Sequence, residues 1–144
     1  MNIIFIGTCG VYHPLIAANI HLNGLNTEDY RKLTFFANHE REESGKPLLV
    51  GTDSLANNIY ALGVGPDVDM VRKSIEDLRL ILGASEDELQ AIPIIIKSQL
   101  LLLILHKLSA IGLLRSLLLP WITLLIKKQL PVIKQQLNLA FGDK

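Results

Sequence analysis

The sequence contains one cysteine, Cys9, and few aromatic residues. A single thiol cannot form an internal disulfide, and the first residues show neither the basic region nor the cleavage site of a secretory signal. We therefore expect a cytoplasmic location. The net charge of zero and the low aromatic content argue against a nucleic-acid partner. A chain of 144 residues is expected to form one domain with a genuine core.

Acidic residues are absent from residues 94–142. Residues 1–93 carry seven Lys or Arg and thirteen Asp or Glu, whereas residues 94–144 carry seven and one, so the two parts have net charges of −6 and +6. This division predicts an acidic α/β body, 1–93, followed by a basic, leucine-rich helical segment, 94–144. We expect the segment to pack on the body as part of one domain.

Long uncharged apolar runs are also absent. A transmembrane helix needs about 20 mainly apolar residues, but the longest stretch of the leucine-rich segment without Lys or Arg, residues 116–126, has 11. A simple membrane span is therefore not expected. Apolar residues nearly surround the helix axis between 100 and 119, which is typical of a helix buried on most sides. The predicted helices cover 95–109, 113–128 with a break near Pro120, and 131–140.

The rest of the chain is organised around residues 2–22, which predict a strand, a loop and a helix. The β-branched and aromatic run at 3–6 is typical of a strand covered on both faces. Gly7 ends this strand. Pro14 suits the first position of a helix, because its missing N–H would have no partner there, and His13 is then the expected N-cap.

The remaining elements predict a small mixed sheet with helices. The short connection at 53–57 favours an antiparallel hairpin, and the polar stretch 39–46 a solvated loop. Strands are predicted at 33–37, 47–52 and 58–64, and residues 92–96 form either a last edge strand or the entry to the next helix. Polar turns are predicted at 26–29 and 85–88, and a helix from Asp67 to Gly83. The predicted fold is a three-layer, Rossmann-like α/β domain with a small mixed sheet, followed by the leucine-rich helical segment.

The loop from Thr8 to His13 is the candidate ligand site. A strand that leads into a helix N-terminus aims free backbone N–H groups and the positive end of the helix dipole at one point, which favours a phosphate or carboxylate. The glycine spacing matches neither a P-loop nor a dinucleotide fingerprint. Without a ligand, the stretch is an ordinary connecting loop, and Asp53 and Asn57 are explained by turn formation through their side chains. The candidate ligand-binding residues are Thr8, Cys9, Gly10, His13, Asp53 and Asn57.

Cys9 and His13 are weak candidates for catalysis. A thiol before a helix N-terminus is expected to have a lowered pKa, and His13 could act as its base; a small packed side chain is the alternative. His13 and His21 are eight residues apart, about 12 Å along a helix, which is too far for both to bind one metal. With His39 and His106 in other parts of the sequence, we expect no metal site, and no cofactor is indicated.

Three motifs carry a resemblance to a known family. They are the opening strand and loop with His13 and AANIHL, the later GTDSLANNIYALG, and the pattern LxxLSAIGLLR. Together they resemble, over the whole chain, an uncharacterised family of short α/β proteins associated with spore-forming Gram-positive bacteria, a domain of unknown function. Its members tend to have a small hydroxyl residue where Pro14 stands and a glycine where Ala56 stands. The resemblance implies a repeated fold and no particular activity.

Two functional hypotheses from different classes remain. In the first, the protein is an interaction or oligomerisation module whose residues 94–141 bind a second copy, another protein, or an anionic membrane surface as a peripherally associated protein. In the second, it binds a small phosphate-containing molecule or nucleotide at the Thr8 to His13 loop. Such a protein is either a binding protein or an enzyme. The leucine content favours the first hypothesis. The positive residues do not gather on one side of the helix, which favours an oligomer over lipid; they are Lys97, Lys107, Arg115, Lys127, Lys128 and Lys134.

Overall fold

The structure, a computed structural model, describes residues 1–24 and 30–142. It is an α/β fold with a small mixed sheet and a long C-terminal helix. The strands are β1 (Asn2–Gly7), β2 (Leu48–Thr52), β3 (Asn58–Gly63) and β4 (Leu89–Pro93), and the helices are α1 (His13–Asn23), α2 (His39–Glu43), α3 (Val68–Ile81), α4 (Gln99–Ser109) and α5 (Gly112–Phe141). A 3₁₀ turn covers Tyr30–Lys32.

The sheet has the order β2-β3-β1-β4, with β1 in the interior. β1 pairs in parallel with β3 and β4, so that Ile4 lies between Tyr60 and Ala91. β2 runs antiparallel to β3, and their register is irregular between Leu49 and Gly51. The mixed sheet, its central first strand and the antiparallel hairpin are therefore confirmed. The last edge strand exists as β4, but it lies three residues earlier than the predicted range 92–96.

Helices cover both sides of this sheet. α1 packs on β1 and β3, and α5 packs on α1, whereas α3 packs on β4 and β1. The connections from β1 to β3 and from β3 to β4 cross the sheet in opposite directions, so right-handed crossovers put α1 and α3 on opposite faces. On the α1 side, the ring of Phe5 is fully buried, 5.9 Å from the ring of His21 and 6.3 Å from that of Phe141.

The α3 side of the sheet is covered less completely. Val68 is the one fully buried residue of α3, while Leu78 and Leu82, which the sequence pattern assigns to the buried face, are exposed. Ile4 on β1 is half-buried for the same reason. The periodicity predicts the α3 helix correctly and overestimates how much of its apolar face meets the sheet.

The strand predicted at 33–37 is wrong. These residues continue from the 3₁₀ turn as a series of turns, in which Phe35 and Ala37 have positive φ angles of 73° and 55°. A left-handed backbone cannot continue a β ladder. The aromatic residues that suggest a strand are instead used for packing, since Phe36 meets Tyr12 edge to face with ring centroids 5.4 Å apart. The turn predicted at 26–29 lies outside the described residues.

The loop predicted at 39–46 begins with a short helix, α2. Asn38 caps it, because its side-chain oxygen accepts a hydrogen bond from the backbone N–H of Arg41 at 3.1 Å. The predicted turn at 85–88 is confirmed in part. The Glu88 carboxylate accepts a hydrogen bond from the Ser85 N–H at 3.1 Å, as in a capping box, but no further helix forms.

α5 is one continuous helix, so the break predicted near Pro120 is wrong, and so is the prediction of two separate helices at 113–128 and 131–140. Pro120 and Pro131 both lie inside it, at exposed positions. A proline removes one helical hydrogen bond, but the carbonyl that loses its partner on an exposed face can bind water. α1 also differs in detail from the prediction, since Tyr12 is its N-cap and His13 its first residue, followed by Pro14.

Candidate functional site

The loop between β1 and α1 lies at the edge where the parallel strands β1 and β3 end. In open α/β sheets this carboxyl edge is the usual place for a ligand. Thr8, Cys9 and His13 are all buried there. The Thr8 hydroxyl lies 3.5 Å from His13 Nε2, and His13 Nδ1 has no hydrogen-bond partner among the described residues. Burial lowers the pKa of His13 to about 3, so its imidazole is neutral.

Cys9 lies in a different environment from the one expected for a reactive thiol. Burial, together with the charge of Glu42, raises its pKa to about 12, while Lys107 opposes the shift. The thiol therefore stays protonated at neutral pH, although a helix N-terminus lies next to it. A catalytic role for Cys9 or His13 stays a prediction.

The backbone of the loop holds a carboxylate that comes from the chain itself. Oε2 of Glu42, on α2, accepts a hydrogen bond from the Val11 N–H at 3.0 Å. The other oxygen, Oε1, lies against Gly63 so closely that a Cβ at Gly63 would overlap it. Burial raises the pKa of Glu42, and hydrogen bonds from the N–H groups of Val11 and Gly10 oppose that shift. The N–H groups of the loop thus contact a carboxylate of the chain itself, and binding of an external anion by the loop stays a prediction.

A cavity of about 320 Å³ adjoins this carboxylate. Its volume is at the lower end of the range found for small-ligand sites. Its lining is mostly polar or small and comes from the loop after β1, from α2, from the end of β3 and the residues after it, and from α4 and the residue after it: Thr8, His39, Glu42, Glu43, Gly63, Gly65, Leu103, His106, Lys107 and Ala110.

Two histidines are stacked in the wall of the cavity. The rings of His39 and His106 are 4.2 Å apart and 20° from parallel. The Ser109 hydroxyl donates its one proton to the His106 carbonyl at 2.8 Å, so it accepts from His39 Nε2 at 3.1 Å. On the other side, His106 Nδ1 lies 3.2 Å from the Tyr12 hydroxyl.

Both imidazoles in this pair are neutral at neutral pH. Burial, together with the neighbouring His39, lowers the pKa of His106 to about 4. Burial also lowers the pKa of His39, with a contribution from Arg115, while Glu43 opposes the shift. Neutral imidazoles can donate or accept hydrogen bonds and can act as bases. Among the described residues, no three His, Cys, Asp or Glu side chains are arranged to hold a metal ion.

Asp53 and Asn57 lie at the β2–β3 turn, at the opposite edge of the sheet from the Thr8 to His13 loop. One oxygen of Asp53 accepts from the N–H groups of Leu55 and Asn57, each at 2.9 Å, and the other accepts from the Asn57 side chain at 2.9 Å. Burial raises the pKa of Asp53, but these hydrogen bonds and one with His21 together lower it to about 2. The two residues form a turn and do not join the loop.

A second feature is a surface of exposed apolar side chains on the C-terminal helices, here called the α4–α5 surface. Leu113 is 88% exposed and Trp121 is 65% exposed. Its members are Leu100, Leu101, Ile104, Leu108, Ile111, Leu113, Leu117, Trp121 and Leu124. The other side of α5 is buried through Ile122, Ile126, Ile133 and Leu137. Within the described chain, α5 is the one helix long and apolar enough to cross a membrane, and 17% of its most apolar stretch is buried.

α3 carries a smaller exposed apolar set, here called the α3 surface: Met70, Leu78, Leu80, Ile81 and Leu82. The charges around the two surfaces differ in sign. Residues 67–88, which include α3, contain seven acidic and three basic residues, whereas residues 99–141 contain five basic residues and no acidic one.

The family assignment follows from the sequence as a whole. Residues 2–138 match the family described as Protein of unknown function (DUF3189). The chain belongs to the DUF3189 family. No curated protein and no solved structure matches it. The match confirms the resemblance to a domain of unknown function, whereas the association with spore-forming Gram-positive bacteria stays a prediction.

Sequence reasoning located the loop of this DUF3189 protein and missed its partners. The sequence predicts a solvated loop around Glu42, and it predicts no connection between His39 and His106. The Asn38 cap followed by acids at 40 and 42 is a signal for a helix start that could have revealed α2. The sequence contains no signal that Glu42 would reach the loop or that α2 and α4 would bring two histidines together.

Proposed function

We propose that this protein is an interaction module that self-associates through the α4–α5 surface. The nine exposed, large apolar side chains of that surface support the proposal. Exposed apolar area costs about 25 cal/mol per Å² in water, and large exposed apolar patches usually mark interfaces. The buried face of α5 already packs on the body, so its exposed leucines need a second surface to cover them.

The partner that fits best is the α3 surface of a second copy. Both surfaces are apolar, and their surroundings carry opposite charges, since residues 99–141 are basic and residues 67–88 are acidic. Contact between two α4–α5 surfaces would instead bring unopposed positive charges together. A contact between two different surfaces is heterologous, so it produces a ring if the rotation closes and a filament if it does not.

A lipid surface is the weaker alternative for the α4–α5 surface. Interfacial helices gather their basic residues on one polar face. On α5, Lys127 and Lys128 are consecutive and therefore point about 100° apart, and helical periodicity puts Lys128 on the same side as Leu117 and Trp121. A lysine within the apolar side suits a protein partner that carries an acid.

Sedimentation velocity of the detergent-free protein over a range of concentrations tests the proposal. We expect the wild type to associate and Leu117→Gln to shift the equilibrium toward the monomer. Leu117 is exposed, so this change should not alter the stability of the monomer. Leu55→Gln is the matched control, because Leu55 is 80% exposed and lies at the β2–β3 turn. A wild type that stays monomeric would contradict the proposal, and flotation with anionic vesicles would then support the lipid alternative.

Small-ligand binding at the Thr8 to His13 loop is the second candidate function, supported by the cavity that adjoins the loop. A thermal-shift screen of phosphate, sulfate and common nucleotides tests it. A ligand at 100 times its dissociation constant should stabilise the protein by about 2.7 kcal/mol. If none of these compounds raises the melting temperature, this candidate loses its support.

A further inference from the structure

The backbone around the Glu42 carboxylate forms a cradle for two oxygen atoms. Val11 donates its N–H to Oε2 at 3.0 Å, and Oε1 fills the space where Gly63 has no side chain. A Cβ at Gly10 would likewise come within 2.5 Å of the Gly63 nitrogen. Neither glycine has a positive φ angle. Space rather than backbone conformation therefore requires glycine at both positions. The space at Gly63 is filled by a carboxylate oxygen, and the space at Gly10 by the backbone of Leu62 and Gly63.

The group that fills the cradle is a side chain on a short element with few contacts. α2 has five residues, ends near Gly45, and packs only loosely on the other helices and strands. Its contacts with the rest of the site include the Glu42 hydrogen bond and the bond between His39 and Ser109. A tethered group of this kind competes with free ligands at an effective concentration in the millimolar range.

We propose that the cradle of Gly10, Val11 and Gly63 is a binding site for a phosphate or phosphate monoester, and that such a ligand displaces the Glu42 carboxylate. This inference rests on the second candidate function. A phosphate group carries more negative charge and more acceptor oxygens than a carboxylate, so it can replace Glu42 on the same N–H groups.

The adjoining cavity would hold the rest of such a ligand. Lys107 supplies a positive charge in its lining, and Thr8 a hydroxyl. The imidazoles of His39 and His106 are held in place by Ser109 and Tyr12, so they present fixed hydrogen-bonding groups. A volume of about 320 Å³ exceeds the need of inorganic phosphate alone, which favours a small phosphate monoester.

Titration of inorganic phosphate into the ¹⁵N-labelled protein tests the inference, with sodium chloride at equal ionic strength as the reference. We expect the amide signals of Gly10 and Val11 to move saturably. Glu42→Ala should bind phosphate more tightly than the wild type, by about tenfold if the carboxylate occupies the cradle nine-tenths of the time. Glu40→Ala is the matched control, since Glu40 is an exposed residue of the same helix, loses the same charge and does not line the cavity, and it should bind phosphate as the wild type does.

The outcomes separate the parts of the inference. If Gly10 and Val11 do not respond to phosphate in a folded Glu42→Ala protein, the oxyanion site is wrong; Glu42→Gln serves the same purpose if the alanine variant does not fold. If the wild type and Glu42→Ala bind phosphate equally, the competition with Glu42 is wrong. The phosphate titration can also fail while a nucleotide or other compound raises the melting temperature. That result would support the ligand-binding function and contradict the oxyanion site.

Discussion

His39 and His106 stack face to face, with ring centroids 4.2 Å apart, although they belong to helices that are far apart in the sequence. Two charged imidazoles would repel each other at this distance, so the stack is stable only while at least one ring is neutral. Because His39 and Glu42 both lie on α2, protonation of both histidines would weaken a contact that holds α2 and Glu42 in position.

Stability should fall as the pH drops below 6.5. Unfolded histidine binds a proton near pH 6.5, whereas folded His106 does so only near pH 4, so the unfolded state binds more protons within that window. The slope is about 1.4 kcal/mol per pH unit for each such histidine. His13 acts in the same direction, and Glu42, whose pKa is raised, opposes it.

Urea denaturation at a series of pH values between these limits measures the effect. His106→Gln is the informative variant, because glutamine can still bond the Tyr12 hydroxyl but does not titrate. Its stability should change less steeply with pH. A wild-type profile that is flat over the window would contradict the lowered pKa values.

Cys9 should be inert toward thiol reagents in the folded protein. Burial raises its pKa to about 12, so neither thiolate nor access is present at pH 8. We expect an aromatic disulfide reagent to label Cys9 only after unfolding in guanidinium chloride. Rapid labelling of the native protein would instead favour Cys9 as a nucleophile.

Neighbouring residues of β1 should differ in their effect on stability. Phe5 is fully buried between His21 and Phe141, so Phe5→Ala should cost about 3–5 kcal/mol. Ile4 points to the less covered α3 side and is half-buried, so Ile4→Ala should cost less. Urea denaturation of both variants compares their free energies of unfolding. Equal losses would contradict the poorer covering of the α3 side of the sheet.

The elements that the sequence predicts well are those whose pattern is local. β1 is a continuous apolar run that ends at Gly7, the β2–β3 hairpin has a short connection, and α3 has a clear helical periodicity that ends at Gly83. The stretch 33–37 has the composition of a strand, but Phe35 and Ala37 adopt positive φ angles that composition cannot reveal. Pro120 suggests a helix break, and only the exposed position of its turn in the folded chain explains why the helix continues.

The candidate site shows the same limit. The N–H groups of the Thr8 to His13 loop follow from the strand–loop–helix pattern, which is contained in a short stretch of sequence. Glu42, His39 and His106 reach the site through tertiary packing of α2 and α4, so no spacing along the chain connects them to the loop. The raised pKa of Cys9 likewise depends on burial, which outweighs the favourable helix N-terminus.

Gln136 should anchor α5 to the segment after β4. Its side chain accepts a hydrogen bond from the Ile95 N–H at 2.9 Å and donates one to the Ile95 carbonyl at 2.6 Å. Gln136→Ala removes both and should destabilise the protein by about 1 kcal/mol per lost bond at most, because water can reach the site. Gln135→Ala, at the next and exposed position, is the control and should have little effect on the urea midpoint.

The heterologous contact makes a prediction about charge exchange. Helical periodicity puts Lys128 among the exposed apolar residues of α5, and Asp77 among those of α3. Lys128→Glu and Asp77→Lys should each weaken self-association, because each brings like charges together at the contact between copies. The loss should be larger at low salt, where exposed charges are less screened.

Mixing the two variants should restore one contact, since the α4–α5 surface of the Lys128→Glu chain can then meet the α3 surface of the Asp77→Lys chain with opposite charges. Sedimentation velocity of each variant and of the equimolar mixture measures this. An interface made of two α4–α5 surfaces would behave differently: Asp77→Lys alone would then associate as the wild type does, because α3 would lie outside the contact. That result would contradict the heterologous arrangement while leaving self-association through the α4–α5 surface intact.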